Sequence, residues 1–163
     1  MGVWVALFMS TYVNKVDRKG RVSVPASFRT AVAGQSFHGI ATFRSFKTAA
    51  IEGSGVDRIE EMSARLDALE QFSEDYDSLA SIFADTQQLA FDSEGRVVLP
   101  EDLIAHAGIS DSAAFVGLGR TFQIWEPEAH KRHQNEMRER AKRQGITLPA
   151  ARPLPPPQGG GTR

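Results

Sequence analysis

The apolar positions of this chain fall into short β-rich runs and longer helical stripes. Residues 10–17, carrying Tyr12 and Val13, read as a strand entering a turn, and Arg21-Val22-Ser23-Val24 reads as the strand leaving it. Phe28 and Val32, four apart, mark one face of a short helix. Pro25 is placed to open that helix and Gly34 to close it. Residues 40–51 read as a strand pair punctuated near Arg44-Ser45. Ile59, Met62, Leu66 and Leu69 then recur at three- and four-residue spacing, and Tyr76, Leu79, Ile82 and Phe83 follow in a second amphipathic piece.

The series then starts again. Asp17-Arg18-Lys19-Gly20-Arg21-Val22-Ser23-Val24-Pro25 returns as Asp92-Ser93-Glu94-Gly95-Arg96-Val97-Val98-Leu99-Pro100, an offset of 75 residues (17 to 92) and a shared pattern D-x-x-G-R-V-x-V/L-P. Gly20 and Gly95 sit where a tight turn needs positive φ or a close backbone approach. Pro100 opens a second short helix with Leu103 and Ala107 on one face and Gly108 as its cap. Residues 114–125 form another strand pair around Gly119-Arg120-Thr121, and Pro127 opens a long helix to about Gln144. Phe43, Phe46, Phe115, Phe122, Ile124 and Trp125 are the expected bulky core. Neither half buries its apolar face alone, and each leaves strand edges exposed. Interleaving the halves into one barrel covers those edges, and so does ring-like association of subunits.

Composition narrows the setting. The hydrophobic and charged fractions, 41% and 24%, are those of a soluble globular protein. Without cysteine there are no disulfides or thiolate metal sites, which agrees with a reducing compartment. The apolar run at residues 3–9 is too short to span a bilayer and lacks the flanks of a signal peptide, so it is expected to be an N-terminal strand or the product of an early start codon. A cytoplasmic protein is expected.

Net charge is only −1, but it is unevenly distributed. Over residues 14–47, seven cations (Lys15, Arg18, Lys19, Arg21, Arg29, Arg44 and Lys47) face one acid, Asp17, a balance of +6. Over residues 52–102, fourteen acids face three arginines, a balance of −11. One basic face and an acidic region directed elsewhere suit a nucleic-acid binder, and equally two solvated surfaces that draw subunits together.

The two D-x-x-G-R-V-x-V/L-P copies, the phenylalanine-bearing helix after the first, and Phe122-Gln123-Ile124-Trp125-Glu126-Pro127 together resemble the MraZ family, related to the AbrB-type swapped-hairpin barrels. The resemblance covers about residues 10–142. It implies an α+β fold, a two-repeat double-split β-barrel with flanking helices. It further implies a bacterial transcriptional regulator encoded at the head of the division and cell-wall gene cluster. Such a regulator binds short direct repeats in its own promoter as a closed ring and is found on the nucleoid. The family's D-x-x-x-R element falls on Asp17 with Arg21 and on Asp92 with Arg96. The expected organisation is an N-terminal extension over residues 1–9, a first repeat over 10–70, a helical connection over 71–90, a second repeat with its C-terminal helix over 91–145, and a Pro- and Gly-rich tail over 146–163. That tail is expected to be disordered.

DNA binding needs cations that reach phosphates and donors that reach base edges. Arg21 is the candidate for a guanine edge, where a guanidinium pairs bidentately. Arg18 and Lys19 at the tip of the turn suit phosphates, and Lys15 and Arg29 are supporting cations. Asp17 orients Arg21 or accepts N–H groups of the turn. Arg96 and Asp92 are the second-turn counterparts, but Glu94 in place of a lysine makes that turn acidic and favours a role in the fold or in subunit contact. Against all of these stands the bland reading, an Asp–Arg pair that staples each hairpin. Several such turns on one oligomer would gain avidity at successive direct repeats.

Other chemistries have less behind them. Glu126, His130 and His133 have weak metal-ligand spacing, and a solvated helix face explains them as well. No nucleophile has an evident base and no phosphate-cradling loop is present, so neither catalysis nor a cofactor is expected. The rival to a DNA regulator is an AbrB-like antitoxin or protein-binding module acting through the acidic helices.

Overall fold

The computed structural model describes residues 6–145, so the expectation for the tail lies outside the described residues. The chain separates into two compact units, Met1–His130 and Lys131–Arg163. The first holds all the strands among the described residues. In chain order the elements are β1 Thr11–Lys15, β2 Arg21–Ser23, α1 Ala26–Ala31, β3 Gly39–Arg44, β4 Ile51–Ser54, α2 Val56–Ala68, α3 Glu74–Asp85, β5 Gln87–Ala90, β6 Arg96–Val98, α4 Glu101–Ala107, β7 Ser112–Gly117, β8 Phe122–Trp125 and α5 Pro127–Gln144. The class is α+β, with five helices among the described residues and antiparallel pairing between the strands there.

Six strands form one sheet in the order β1-β7-β8-β4-β3-β5, and β2 and β6 form a separate two-stranded ribbon. At the 75-residue offset β5 is the counterpart of β1, which makes the order a palindrome about the β8–β4 pair. Pairings between the copies (β1 with β7, β4 with β8, β3 with β5, β2 with β6) outnumber those within a copy, β3 with β4 and β7 with β8. The halves are therefore interleaved. The sheet itself is not closed, because its end strands β1 and β5 are not hydrogen-bonded to each other.

The ribbon ties the two copies together. Val22 faces Val97 in register, and both are buried. Beyond the register, Leu99 N–H donates to the Gly20 carbonyl at 2.8 Å and Val24 N–H to the Gly95 carbonyl at 3.1 Å. Each turn glycine thus anchors the strand end of the other copy. Both glycines have positive φ, +82° and +75°, and a Cβ on Gly20 would lie 2.8 Å from the Leu99 carbonyl oxygen.

The core lies between the sheet and the short helices. Phe28 on α1 is at its centre, with ring centroids 5.2 Å from Phe8, 5.2 Å from Phe122 and 6.2 Å from Phe115. Val24, Ile40, Ile51, Leu99, Leu103 and Ile124 complete the packing. The helical faces read from sequence hold: Phe28 and Val32, and Leu103 and Ala107, are buried.

Some local expectations need correction. Phe46 is not core; it is 63% exposed. The Ser45 hydroxyl accepts the N–H groups of Lys47 and Thr48, which reverses the chain there and leaves Phe46 at the tip of the turn. Phe43 is only half-buried. Pro25 and Pro100 are the capping residues before α1 and α4 rather than their first helical residues. Gly108 caps α4 in the left-handed conformation, whereas α1 ends at Val32 and Gly34 lies two residues further on. From the N-terminal apolar run, Phe8 is a core residue, bridged by its backbone to Gly119.

Candidate nucleic-acid interface

Each D-x-x-G-R segment folds on its own aspartate. In the first turn, Asp17 Oδ1 accepts the N–H groups of Lys19 and Arg21, both at 2.9 Å, and Oδ2 accepts Arg21 Nε at 2.6 Å. In the second, Asp92 Oδ1 accepts Glu94 and Arg96 N–H at 2.9 Å, and Oδ2 accepts Arg96 Nε at 2.9 Å. An aspartate closing a turn on the backbone two residues ahead is favourable local chemistry, and the guanidinium adds a charge-assisted bond. The carboxyls of both aspartates are held below their ordinary pKa, first by the backbone N–H of Arg21 or Arg96. They therefore stay ionised and keep the arginine stems fixed.

The two turns differ in what is left of each arginine. Among the described residues Arg21 has a single ion pair, Asp17 through Nε, so its terminal nitrogens have no carboxylate. Arg96 has two: Asp92 on Nε, and Glu94 Oε2 on Nη2 at 3.1 Å. Its pKa is raised, first by the side-chain hydrogen bond to Asp92, with the charges of Asp92, Glu94 and Asp17 adding to it. Lys15, Arg18 and Lys19 are exposed and have no ion pair among the described residues.

Arg29 has a place that sequence spacing did not reveal. Its Nε donates to the Val24 carbonyl at 3.2 Å, and its guanidinium lies across Gly95 of the second turn, where an added Cβ would meet Cδ, Nε and Cζ at 2.8 Å. With His38, Phe91, Asp92 and Ser93 it lines a hollow beside that turn. The position equivalent to Arg29 at the 75-residue offset is Ile104, whose Cδ1 lies over Gly20. Thus α1 of the first copy covers the second turn, and α4 of the second copy covers the first. The unlike pair at the offset, Arg29 and Ile104, was the available signal; its meaning depends on the exchange of strands.

Other charges are engaged elsewhere. Arg44, counted in the basic segment, pairs with Asp85 and joins the end of β3 to the end of α3. Arg120 and Arg58 both pair with Glu61 on α2, whose pKa is lowered first by Arg58. Glu126 accepts the N–H groups of Glu128 and Ala129 and so caps α5. Among the described residues no group of three His, Cys, Asp or Glu side chains is placed to hold a metal, and no helix is long and apolar enough to cross a membrane.

Comparison with known proteins gives one consistent answer. The family model described as "MraZ protein, putative antitoxin-like" matches residues 82–147. A protein of Pelagibacter ubique (strain HTCC1062) named transcriptional regulator MraZ is 47% identical over 136 residues, 83% of this chain and 88% of that one. The proteins of that name from Rickettsia canadensis (strain McKiel) and Rickettsia akari (strain Hartford) are 41% and 40% identical over 143 residues, 87% of this chain and 96% of theirs. Identity of this degree extends over more than four-fifths of the chain, and on that ground the chain belongs to the MraZ family.

Proposed function

We propose that this chain is a sequence-specific DNA-binding transcriptional regulator that acts on its own promoter at the division and cell-wall gene cluster. It binds short direct repeats there as a ring-shaped homo-oligomer, in the cytoplasm and on the nucleoid, without a catalytic step or cofactor. The observation that carries the reading is the state of Arg21. Asp17 fixes its stem through Nε and leaves the terminal nitrogens unpaired, beside exposed Arg18 and Lys19. A guanidinium held by its stem with open terminal nitrogens suits bidentate readout of a guanine edge, and the neighbouring cations suit phosphates. Lys15 supports the same face, while Asp92 and Arg96 serve the fold or subunit contact. Names carried by the relatives point the same way.

The barrel belongs to this reading too. The chain runs from β1 through the first turn into β2, and from β5 through the second turn into β6, so the β2–β6 ribbon links the two ends of the sheet. Closure through that ribbon makes a double-split barrel with both turns at its rim.

A rival reading, a protein-binding module, draws on the acidic helices. The apolar stripes of α2 and α3 are only half-buried, and Phe72 between them is 96% exposed. Gel-shift titration on DNA from immediately upstream of the gene, cut to carry one repeat or several, separates the two. The regulator binds the multi-repeat fragment far more tightly, and Arg21→Ala abolishes the difference. Equal, weak binding to both fragments by both proteins refutes the DNA reading. Loss of a pulled-down partner on neutralising the acids between Glu60 and Asp77, with DNA binding intact, favours the rival.

A further inference from the structure

We propose that Glu94 holds the second turn out of DNA contact by occupying the terminal nitrogen of Arg96 that the first turn leaves open on Arg21. The inference rests on the DNA-binding reading and deepens it: of the two turns in each subunit, alike in their aspartate-closed backbone, the second is a capped copy. The first turn is the comparison within the chain, differing at its two tip positions, Arg18 and Lys19 against Ser93 and Glu94. Both turns share the aspartate, the glycine, the two backbone bonds and the Nε contact. At the position where the first turn has Lys19, the second has Glu94, and only there does a second carboxylate reach the guanidinium, at 3.1 Å on Nη2.

A carboxylate oxygen beside an arginine terminal nitrogen offers the same kind of anionic partner that a phosphate oxygen would, and Glu94 Oε2 is so placed on Arg96 Nη2. Glu94 therefore competes with DNA in two ways. It sets a carboxylate charge 3.1 Å from the terminal nitrogen that would take a phosphate or base oxygen, and that charge repels the DNA backbone. Its side chain is 68% exposed, so the cap is one a single substitution can remove. Beneath the cap the turn retains a second cation, Arg29, laid across Gly95 by α1. Uncapped, the second turn carries Arg96 and Arg29 against Asp92, in place of a turn closed on two carboxylates.

The test compares full-length protein with Glu94→Gln, Arg21→Ala and the double variant Glu94→Gln/Arg96→Gln, each titrated on the multi-repeat upstream DNA over a salt series. Thermal melts report folding, and Arg96→Gln is used because it keeps a donor for Asp92. Glu94→Gln is expected to tighten binding roughly two- to fivefold for each turn released, the scale of an exposed ion pair. It is also expected to steepen the dependence of log affinity on log salt by about 0.9 for each further phosphate neutralised. The double variant is expected to return to the wild-type affinity and slope. Unchanged affinity and slope in Glu94→Gln, while Arg21→Ala still loses binding, overturns the cap and leaves the DNA reading standing. An increase that survives in the double variant also overturns it, because the effect is then general charge and does not act through Arg96. Wild-type binding that is weak and insensitive to Arg21→Ala removes the DNA reading, and the cap with it.

Discussion

Asp17 and Asp92 hold their turns as anions, and that sets how the two hairpins respond to acid. Their folded pKa values lie below the ordinary carboxylate value because backbone N–H groups and an arginine favour the charged form. The unfolded state thus binds protons more readily, and the stabilisation is fully present above the ordinary value of about 3.9. It is lost as pH falls through the depressed folded values. Melting temperature is therefore expected to be flat from pH 8 to 5 and to drop below about pH 4, with a shallower drop in the Asp17→Asn/Asp92→Asn variant. An equally steep acid limb in that variant would place the acid-sensitive groups elsewhere. At this scale the sequence was informative about Asp17, Arg21 and the turn glycines, because local spacing determines an aspartate-closed turn. It said nothing of how Arg29 meets Gly95, a contact made only once strands from the two copies exchange.

Among the elements, the β2–β6 ribbon with its two turns is the most sensitive. Gly20 has positive φ and its missing Cβ would press on the Leu99 carbonyl, which itself lies in the other copy. Gly20→Ala is expected to cost about 1–2 kcal/mol from backbone strain alone, and more from the contact, read as a lowered denaturation midpoint. The helices were legible from periodicity, since Phe28 with Val32 and Leu103 with Ala107 point inward as their spacing requires. Bulk was a poorer guide inside turns. Phe46 was expected in the core, yet the Ser45 turn carries it outward, because direction in a tight turn is set by the hydrogen bonds that close it, here to the Ser45 hydroxyl, and not by hydrophobicity. Phe28→Ala is accordingly expected to cost about 3–5 kcal/mol. Phe46→Ser, at an exposed position, is expected to stay within about 0.5 kcal/mol of wild type. Chemical denaturation of the two variants side by side checks both, and comparable losses would contradict the placement of Phe46.

Across the whole molecule, the interleaving of two copies is the feature that joins fold to function. The repeat was visible in the sequence as a pattern, but which strands pair was not, because alternation fixes a face and leaves the partner open. Exchange places helix α4 against the first turn and α1 against the second, so sequence divergence in one copy alters the surroundings of the other. The result is a molecule with one open, basic turn and one turn closed on its own carboxylates. The measurement that tests this most directly is the salt dependence of binding to upstream DNA for wild type and Arg21→Ala. Wild type is expected to bind with a steep log–log slope, and Arg21→Ala to lose roughly tenfold or more, the scale of one bidentate base contact, with its fold intact. A shallow slope, the same in both proteins, would contradict the account.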